Sequence, residues 1–276
     1  IGVLGLGWAS NIDDEPAVRL HAALFANICS QALHRVIRTR SRVELVRRLT
    51  DELMARRDVI DRVDVGVGYV PAVSEIGFGG DWYDVVSVNA TTTALIVGDV
   101  VGHNAEAAAR MAITRSALRT AVLALPGLVG VSDLVTRSLG LRQREFFATA
   151  VIVMVDTARR EVRWKSFGHV PALLRSPDGS VIRLAETGPP IGLLADTNPI
   201  GTIAYEPGSV ILLYTDGLIE TRTDPIDERI DVLAAALAAA SSMASPSELV
   251  ELLMASVAPE NPDDDIAIIV AALPES

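Results

Sequence analysis

Aspartates stand at the ends of apolar runs in this chain, where a strand would leave or enter a sheet. Residues 77–106 read GFGGDWYDVVSVNATTTALIVGDVVGHNAE and contain two short β patterns joined by a turn-forming segment at residues 89–91. Asp81 and Asp84 follow two glycines, and Asp99 ends an apolar run. Because a buried carboxylate at such a position needs a partner of opposite charge, these strand ends predict a functional site.

The same pattern occurs twice more downstream. The apolar run of residues 210–215 leads into Asp216, and three aspartates at residues 263–265 precede the apolar run of residues 266–270. Taken singly, each aspartate has the position of a turn or helix-cap residue. As a set at strand ends, with the first two ends brought together by a hairpin, they favour a site for hard cations bound through oxygen ligands.

Composition bounds the class of protein. The chain has 276 residues, half of them apolar, and no apolar run reaches the roughly 18 to 20 residues that span a bilayer. A net charge of -11 without a Lys/Arg-rich block argues against nucleic acid and anionic membranes as partners. Cys29 is the single cysteine, which excludes an intramolecular disulfide and indicates a reducing, cytoplasmic compartment. The first residue is Ile1 and no signal-peptide pattern follows it, so we expect a piece of a longer protein.

The N-terminal part is predicted to be a long helix. Residues 17–57 contain neither proline nor glycine, and their apolar positions recur three or four apart. About 40 residues would make a helix of roughly 60 Å, longer than one domain usually covers. A helix packed along its own domain is one interpretation. We favour a connecting helix that pairs with its twin in a homodimer, although the apolar positions keep no strict heptad.

The remainder, residues 58–276, reads as one α+β domain. Its predicted strands come mostly in consecutive hairpins and its helices in two pairs, an order that indicates antiparallel sheets covered by helices rather than an alternating βαβ fold. The predicted strands after the first hairpin are residues 146–156, 161–167, 172–175, 181–184, 202–205, 210–215 and 266–273, and a strand at residues 62–73 precedes it. The predicted helices are residues 104–125, 131–141, 230–240 and 246–257.

Seven short motifs stand in a recognisable order. They are GGDWYD at residues 79–84, GDVVGH at 98–103, FAT at 147–149, GHVP at 168–171, GPPIGLL at 188–194, YTDGLIE at 214–220 and DDDI at 263–266. Together they resemble the SpoIIE-like branch of the metal-dependent PPM serine/threonine protein phosphatases. Separately, residues 1–38 resemble the final strand and helix of a GAF sensory domain, a match that rests on much looser signatures.

The resemblance implies an αββα sandwich of two antiparallel sheets with two Mn²⁺ or Mg²⁺ ions at one edge. The family's metal-ligand aspartates fall on Asp81, Asp99, Asp216 and Asp264, and a backbone ligand falls on the carbonyl of Val100. Asp99 would bridge both ions. Asp84 and Asp265 are adjacent candidates whose roles stay open.

The chain departs from the family pattern at two positions. The family usually has a small residue where Val101 stands and glycine where Asn104 stands. Asparagine tolerates the left-handed conformation, so the expected effect is on catalytic efficiency and not on the fold.

Several neighbouring residues are expected to be structural. His103 and His169 each follow a glycine, and a structural hydrogen bond is favoured over metal ligation for both. Trp82 and Tyr83 are expected to pack under the site. The arginines of the first predicted helix after the hairpin have a substrate-binding interpretation, but a solvated face is favoured; they are Arg110, Arg115 and Arg119.

The function predicted is hydrolysis of phosphoserine or phosphothreonine in a protein, and the resemblance points to a phosphorylated anti-sigma factor antagonist as substrate. No cysteine-phosphatase loop, P-loop or zinc pattern of His and Cys is present. Two alternatives stay open: a catalytically weak or inactive signalling module that binds a partner protein, supported by Val101 and Asn104, and a phosphatase of small phosphoesters.

Overall fold

Ten strands form two antiparallel sheets in the part of the chain that this computed structural model describes, which comprises residues 63–71, 79–102, 105–139, 147–193, 198–221, 223–259, 262 and 264–274. Sheet A has the strand order β1-β10-β9-β6-β7, and sheet B has the order β2-β3-β4-β5-β8. The strands are β1 (Asp64–Val70), β2 (Trp82–Ser87), β3 (Thr92–Val100), β4 (Ala148–Asp156), β5 (Glu161–Phe167), β6 (Ala172–Arg175), β7 (Val181–Leu184), β8 (Gly201–Ala204), β9 (Val210–Tyr214) and β10 (Ile266–Ala272).

Four helices cover the outer faces, giving the predicted αββα sandwich. They are α1 (Ala105–Ala124), α2 (Val131–Ser138), α3 (Ile226–Ala239) and α4 (Pro246–Val257). The first two pack on sheet B and the last two on sheet A. The α+β class read from the strand and helix order is therefore confirmed.

Local chemistry explains the hairpins. In the β2–β3 turn, Oδ1 of Asn89 accepts hydrogen bonds from the backbone N–H groups of Thr91 at 2.9 Å and Thr92 at 3.0 Å. In the β6–β7 turn, Asp178 accepts from the backbone N–H of Ser180 at 2.9 Å, and Gly179 has a left-handed φ of 87°. These side chains satisfy turn backbone and so fix the register of the flanking strands.

Apolar side chains form the core, which fills the space between the two sheets and the space between the sheets and their helices. Strand β3 is buried from Thr92 to Gly98, because one of its faces meets sheet A and the other meets α1. On sheet A, Gly66 of β1 lies against α4, and a Cβ there would lie 2.4 Å from the carbonyl carbon of Pro246. Glycine thus permits helix and strand to approach closely. At the start of α4, Ser245 and Glu248 form a reciprocal capping box.

Most element boundaries agree with the sequence prediction to within three residues. The exception is α3, which begins at Ile226 instead of residue 230 because its polar first turn, with Asp227 and Glu228 near the positive end of the helix dipole, lacks apolar periodicity. No described helix has the length and apolarity to cross a bilayer. The predicted N-terminal helix, the GAF-like segment and the homodimer contact lie outside the described residues, so they stay predictions together with the division at residues 57 and 58.

Candidate metal centre

The ends of four strands bring the acidic motifs to one edge of the sandwich. In sheet B, Asp81 precedes β2 and Asp99 lies near the end of β3, and the two strands pair through Trp82 and Gly98. In sheet A, Asp216 follows β9, while Asp264 and Asp265 precede the neighbouring antiparallel strand β10. Antiparallel pairing therefore places the start of one strand beside the end of the other within each sheet.

Two hydrogen bonds between Thr215 and Ala267, followed by a short 3-10 turn, shape the sheet A half of this edge. The backbone N–H of Thr215 donates to the carbonyl of Ala267 at 3.0 Å, and the N–H of Ala267 donates to Oγ1 of Thr215 at 2.8 Å. A 3-10 turn, Asp216–Leu218, starts at once, so the chain leaves the sheet at Asp216. Asp216 consequently lies beyond the last ladder pair of β9 and β10.

Glycines allow the two halves to meet. A Cβ at Gly79 would lie 1.1 Å from Oδ2 of Asp265, and a Cβ at Gly80 would lie 1.8 Å from the carbonyl oxygen of Val100 and 2.8 Å from Oδ1 of Asp99. The backbone of the glycine pair therefore lies directly against sheet B and sheet A acids. Side chains at these positions would hold the acids apart.

Asp81 is the least satisfied of these acids. It is fully buried, and both carboxylate oxygens lack a hydrogen-bond partner. Burial and the nearby charge of Asp99 raise the pKa of Asp81 well above its ordinary value. The hydroxyl of Thr215 is close enough to oppose this shift, although its geometry falls short of a hydrogen bond. A buried carboxylate without donors is stable in its charged form only beside a cation.

The neighbouring acids reinforce that requirement. Burial, followed by the charges of Asp216 and Asp264, raises the pKa of Asp99 to about 7. Burial also raises the pKa of Asp216, whose Oδ1 is buried without a hydrogen-bond partner. Three of the four predicted ligand aspartates thus lie where burial and neighbouring charges destabilise their ionised forms.

The residues fit divalent cations by donor chemistry. Carboxylate and carbonyl oxygens are the ligands that Mg²⁺ and Mn²⁺ prefer. The edge supplies buried oxygens of Asp81 and Asp216 without hydrogen-bond partners, and the carbonyl of Val100 lies against Gly80. Within the described residues, however, no three His, Cys, Asp or Glu side chains are close-set enough to hold one ion as placed. The described acids approach one another without closing into a complete coordination shell.

Asp265 belongs to the cluster more closely than its sequence position indicated. It is fully buried against Gly79, and its backbone N–H donates a hydrogen bond to Oδ1 of Asp264 at 2.8 Å. Asp264 is half-buried. Both contribute to the raised pKa values of Asp81 and Asp99, so either is placed to act on a cation there.

Asp84 has a different role. Its carboxylate is fully buried and accepts from Nη2 of Arg115 at 3.0 Å and from Nη1 of Arg119 at 2.8 Å, while Nε of Arg115 donates to the carbonyl of Tyr83 at 3.2 Å. The expected solvated face is therefore wrong for these two arginines. They anchor α1 to β2, and only Arg110, which pairs with Glu106 at 2.6 Å, lies on an exposed surface.

The expected structural residues are largely confirmed. Trp82 and Tyr83 are buried. His169 is buried with both ring nitrogens hydrogen-bonded, Nδ1 to Oγ1 of Thr149 at 2.7 Å and Nε2 to the carbonyl of Tyr214 at 3.0 Å. Neither nitrogen is available to a metal. His103 and Asn104 lie outside the described residues, and Val101 is 71% exposed.

Sequence reasoning missed Tyr69. This residue of β1 pairs with Ala267 of β10 and packs against the core between the sheets. Burial raises the pKa of its phenol, and so do the charges of Asp265, Asp81, Asp264 and Asp99. The phenol is therefore neutral beside the acids. The sequence could have indicated the position of Tyr69, because side-chain alternation along β1 puts it on the same face as Val65 and Val67.

Comparison with known proteins shows the family of this chain. A model of the family described as Stage II sporulation protein E (SpoIIE) matches residues 89–274, about two thirds of the chain. The chain belongs to the SpoIIE family. The matched residues contain β3 to β10 and three of the four predicted ligand aspartates, while Asp81 lies just before them.

Named relatives agree with SpoIIE membership. The chain is 27% identical over 190 residues to the phosphoserine phosphatase RsbP of Bacillus subtilis, covering 67% of this chain and 46% of RsbP. It is 28% identical, with a TM-score of 0.65, to the RsbU and RsbW domains of Rv1364c from Mycobacterium tuberculosis, covering 77% of this chain and 62% of that one. The chain thus spans less than two thirds of these relatives' lengths.

A more distant structure shares the fold alone. RsbX, solved in complex with magnesium, is 18% identical with a TM-score of 0.59 and covers 78% of this chain and 98% of its own. The two antiparallel sheets flanked by helices are therefore the fold that this SpoIIE-family chain shares with RsbX.

Proposed function

We propose that this domain is a metal-dependent protein phosphatase that hydrolyses phosphoserine or phosphothreonine. The observation that carries the proposal is the carboxylate of Asp81, fully buried with no hydrogen-bond donor and beside other acids. Such a group has no structural use that would offset its cost, but it is well suited to hold a divalent cation. Family membership and the phosphoserine phosphatase activity in the name of RsbP support the same reaction.

The proposed ligands are Asp81, Asp99, Asp216 and Asp264 with the carbonyl of Val100, and Mn²⁺ or Mg²⁺ suits these oxygen donors. Two such cations would lower the pKa of a bound water molecule, so that it ionises near neutral pH, and would offset the charge of the phosphoryl group. The magnesium complex of RsbX is consistent with the choice of metal.

The protein's own residues position the acidic side chains and set the charge of the site. Just before Asp81, the absence of a side chain at Gly79 and Gly80 lets the backbone lie directly against Asp265 and Val100. Burial of Asp81 and Asp99 raises their pKa values, so a nearby positive charge favours the release of their protons. The neutral phenol of Tyr69 adds no further negative charge that would repel a phosphate dianion.

The proposed substrate is a phosphorylated protein of the anti-sigma factor antagonist class. This assignment comes from the resemblance to the SpoIIE-like branch and from the RsbP and RsbU relatives. Cytoplasmic location and a homodimer formed by the N-terminal helix belong to the same proposal.

The test is phosphate release from such a phosphoprotein. The full chain with Mn²⁺ should release phosphate, and Asp99→Asn and Asp216→Asn should each abolish release while the circular dichroism spectrum is unchanged. Asp231→Asn is the matched control, because this carboxylate is exposed on α3 and pairs with Arg183; its activity should equal that of the unaltered protein.

Three outcomes separate the alternatives. Equal activity in Asp99→Asn or Asp216→Asn refutes the site. Weak Mn²⁺ binding without turnover, with intact partner binding, indicates a signalling module. Equal rates on free phosphoesters and on the phosphoprotein indicate a small-molecule phosphatase.

A further inference from the structure

His169 lies in the connection that carries the chain from one sheet to the other. It follows β5 of sheet B and precedes β6 of sheet A. Gly168 before it has a left-handed φ of 67°, and a Cβ there would lie 2.8 Å from Cγ of Pro190. Glycine is therefore required both for the turn and for the close passage of the two loops, and the turn directs the imidazole into the interior.

The hydrogen bonds of the ring define its tautomer. The carbonyl of Tyr214 can only accept, so Nε2, 3.0 Å away, carries the proton. Nδ1 is then an acceptor for the hydroxyl of Thr149 at 2.7 Å. Burial lowers the pKa of His169 to about 4, so the ring stays neutral and keeps both bonds near neutral pH. We call this pair of bonds the His169 clamp.

The two partners of the clamp belong to different halves of the acidic edge. Thr149 lies in β4 of sheet B, where it is the direct cross-strand partner of Asp99. Tyr214 is the last residue of β9 in sheet A, two residues before Asp216. The clamp thus joins the neighbour of one predicted ligand to the neighbour of another, across the gap between the sheets.

We propose that His169 is a positioning residue that sets the separation of Asp99 and Asp216 for metal binding. The inference rests on the proposed function, in which both aspartates are ligands. Apolar packing between the sheets is non-directional, whereas two hydrogen bonds through a rigid ring fix both distance and angle. Ligands must be held to within about 0.5 Å of their working geometry, and the clamp supplies that constraint at the metal-binding edge.

The experiment measures Mn²⁺ affinity by isothermal titration calorimetry on the EDTA-treated full chain, well below the melting temperature. Thr149→Val removes the hydroxyl donor and keeps the shape, His169→Gln keeps a donor toward Tyr214, and His169→Asn keeps an acceptor toward Thr149. Each should weaken Mn²⁺ binding by roughly tenfold or more, the range seen when groups that orient metal ligands are lost. Thr149→Ser retains the hydroxyl and should restore most of the affinity.

A double-mutant cycle and a matched control separate positioning from stability. Adding Thr149→Val to His169→Gln should cause little further loss, because His169→Gln has already removed the bond to Thr149. Thr157→Val is the control: this buried threonine follows the opposite end of β4, and its hydroxyl donates to the carbonyl of Thr91 at 3.2 Å. It should lower the melting temperature without changing Mn²⁺ affinity.

The outcomes distinguish this inference from the proposed function. Unchanged Mn²⁺ affinity in folded Thr149→Val overturns the clamp and leaves the phosphatase proposal standing. Metal binding that weakens as expected, with no phosphate release by the unaltered protein, supports the clamp and contradicts the phosphatase proposal. An unaltered protein that binds no Mn²⁺ overturns both. If His169→Asn fails to fold, Thr149→Val and His169→Gln decide.

Discussion

The carboxylate of Asp84 and the guanidinium of Arg119 lie 2.8 Å apart at the boundary between β2 and α1. Arg115 joins them at 3.0 Å, and the Asp84 side chain is fully buried. Burial raises the pKa of Asp84, and the two guanidinium groups oppose that shift. The second aspartate of the GGDWYD motif therefore anchors α1 to β2, the strand that Asp81 directly precedes.

Asp84→Asn should strongly destabilise the protein. It leaves the shape intact but removes the negative charge between two guanidinium groups, one of which is buried. Loss of one partner from a buried ion pair costs about 3–5 kcal/mol, so we expect a fall of that order in the free energy of unfolding in urea. Asp227→Asn, which removes an exposed partner of Arg183, should change stability little. Equal midpoints for the two variants would contradict the anchoring role.

Elements defined by local chemistry were predictable from sequence. The β6–β7 hairpin follows from Asp178 and Gly179 in its turn, and α4 follows from Pro246 with its capping box. The convergence of the acidic motifs was also predictable, because each aspartate ends or precedes an apolar run at a position that antiparallel pairing brings to one edge.

Long-range partners were not predictable. Hydrophobic periodicity indicates which face of a helix or strand a residue lies on, but not which residues of other elements contact that face. Arg115 was expected on a solvated face, although it lies on the same helical stripe as Met111, Leu118 and Val122, spaced four, three and four apart. Its counter-charge, Asp84, is 31 residues away in sequence. The partners of His169 are equally remote, 20 and 45 residues away.

Gly80→Ala should disturb the acidic edge without affecting the rest of the fold. The new Cβ would lie 1.8 Å from the carbonyl oxygen of Val100, a backbone atom that cannot rotate away. Overpacking of this kind costs about 1–3 kcal/mol, measured by urea denaturation, and it should weaken Mn²⁺ binding as well. At Gly127 a Cβ would meet no atom within 4 Å, so Gly127→Ala should leave both quantities unchanged. A stable Gly80→Ala variant with full metal affinity would show that Val100 is not a ligand.

Asp81→Asn should separate stability from metal binding. In the metal-free protein the substitution removes a buried carboxylate that has no donors, so the melting temperature in EDTA should rise. Ligand binding stabilises the native state by RT ln(1 + [L]/Kd), about 2.7 kcal/mol at roughly 100 times Kd. The unaltered protein should therefore gain melting temperature when Mn²⁺ replaces EDTA, and Asp81→Asn should gain much less. An equal Mn²⁺-induced rise in both proteins would place the metal elsewhere.

The metal-free protein should lose stability between about pH 4 and pH 7, with Asp99 as a main cause. Burial and the charges of Asp216 and Asp264 raise the pKa of Asp99 from 3.8 to about 7. Between these two values the native state binds more protons than the unfolded state, so the free energy of unfolding falls as the pH rises through that window. Asp99→Asn cannot titrate, and its stability in EDTA should fall less steeply over the same range. Melting temperatures of both proteins at about pH 5.5 and pH 8 measure the difference.

Saturating Mn²⁺ should reverse the trend for the unaltered protein alone, because metal binding requires the ionised carboxylate and grows stronger as the pH rises. Parallel pH profiles for the two metal-free proteins would show that the charge of Asp99 is compensated by groups other than a bound cation.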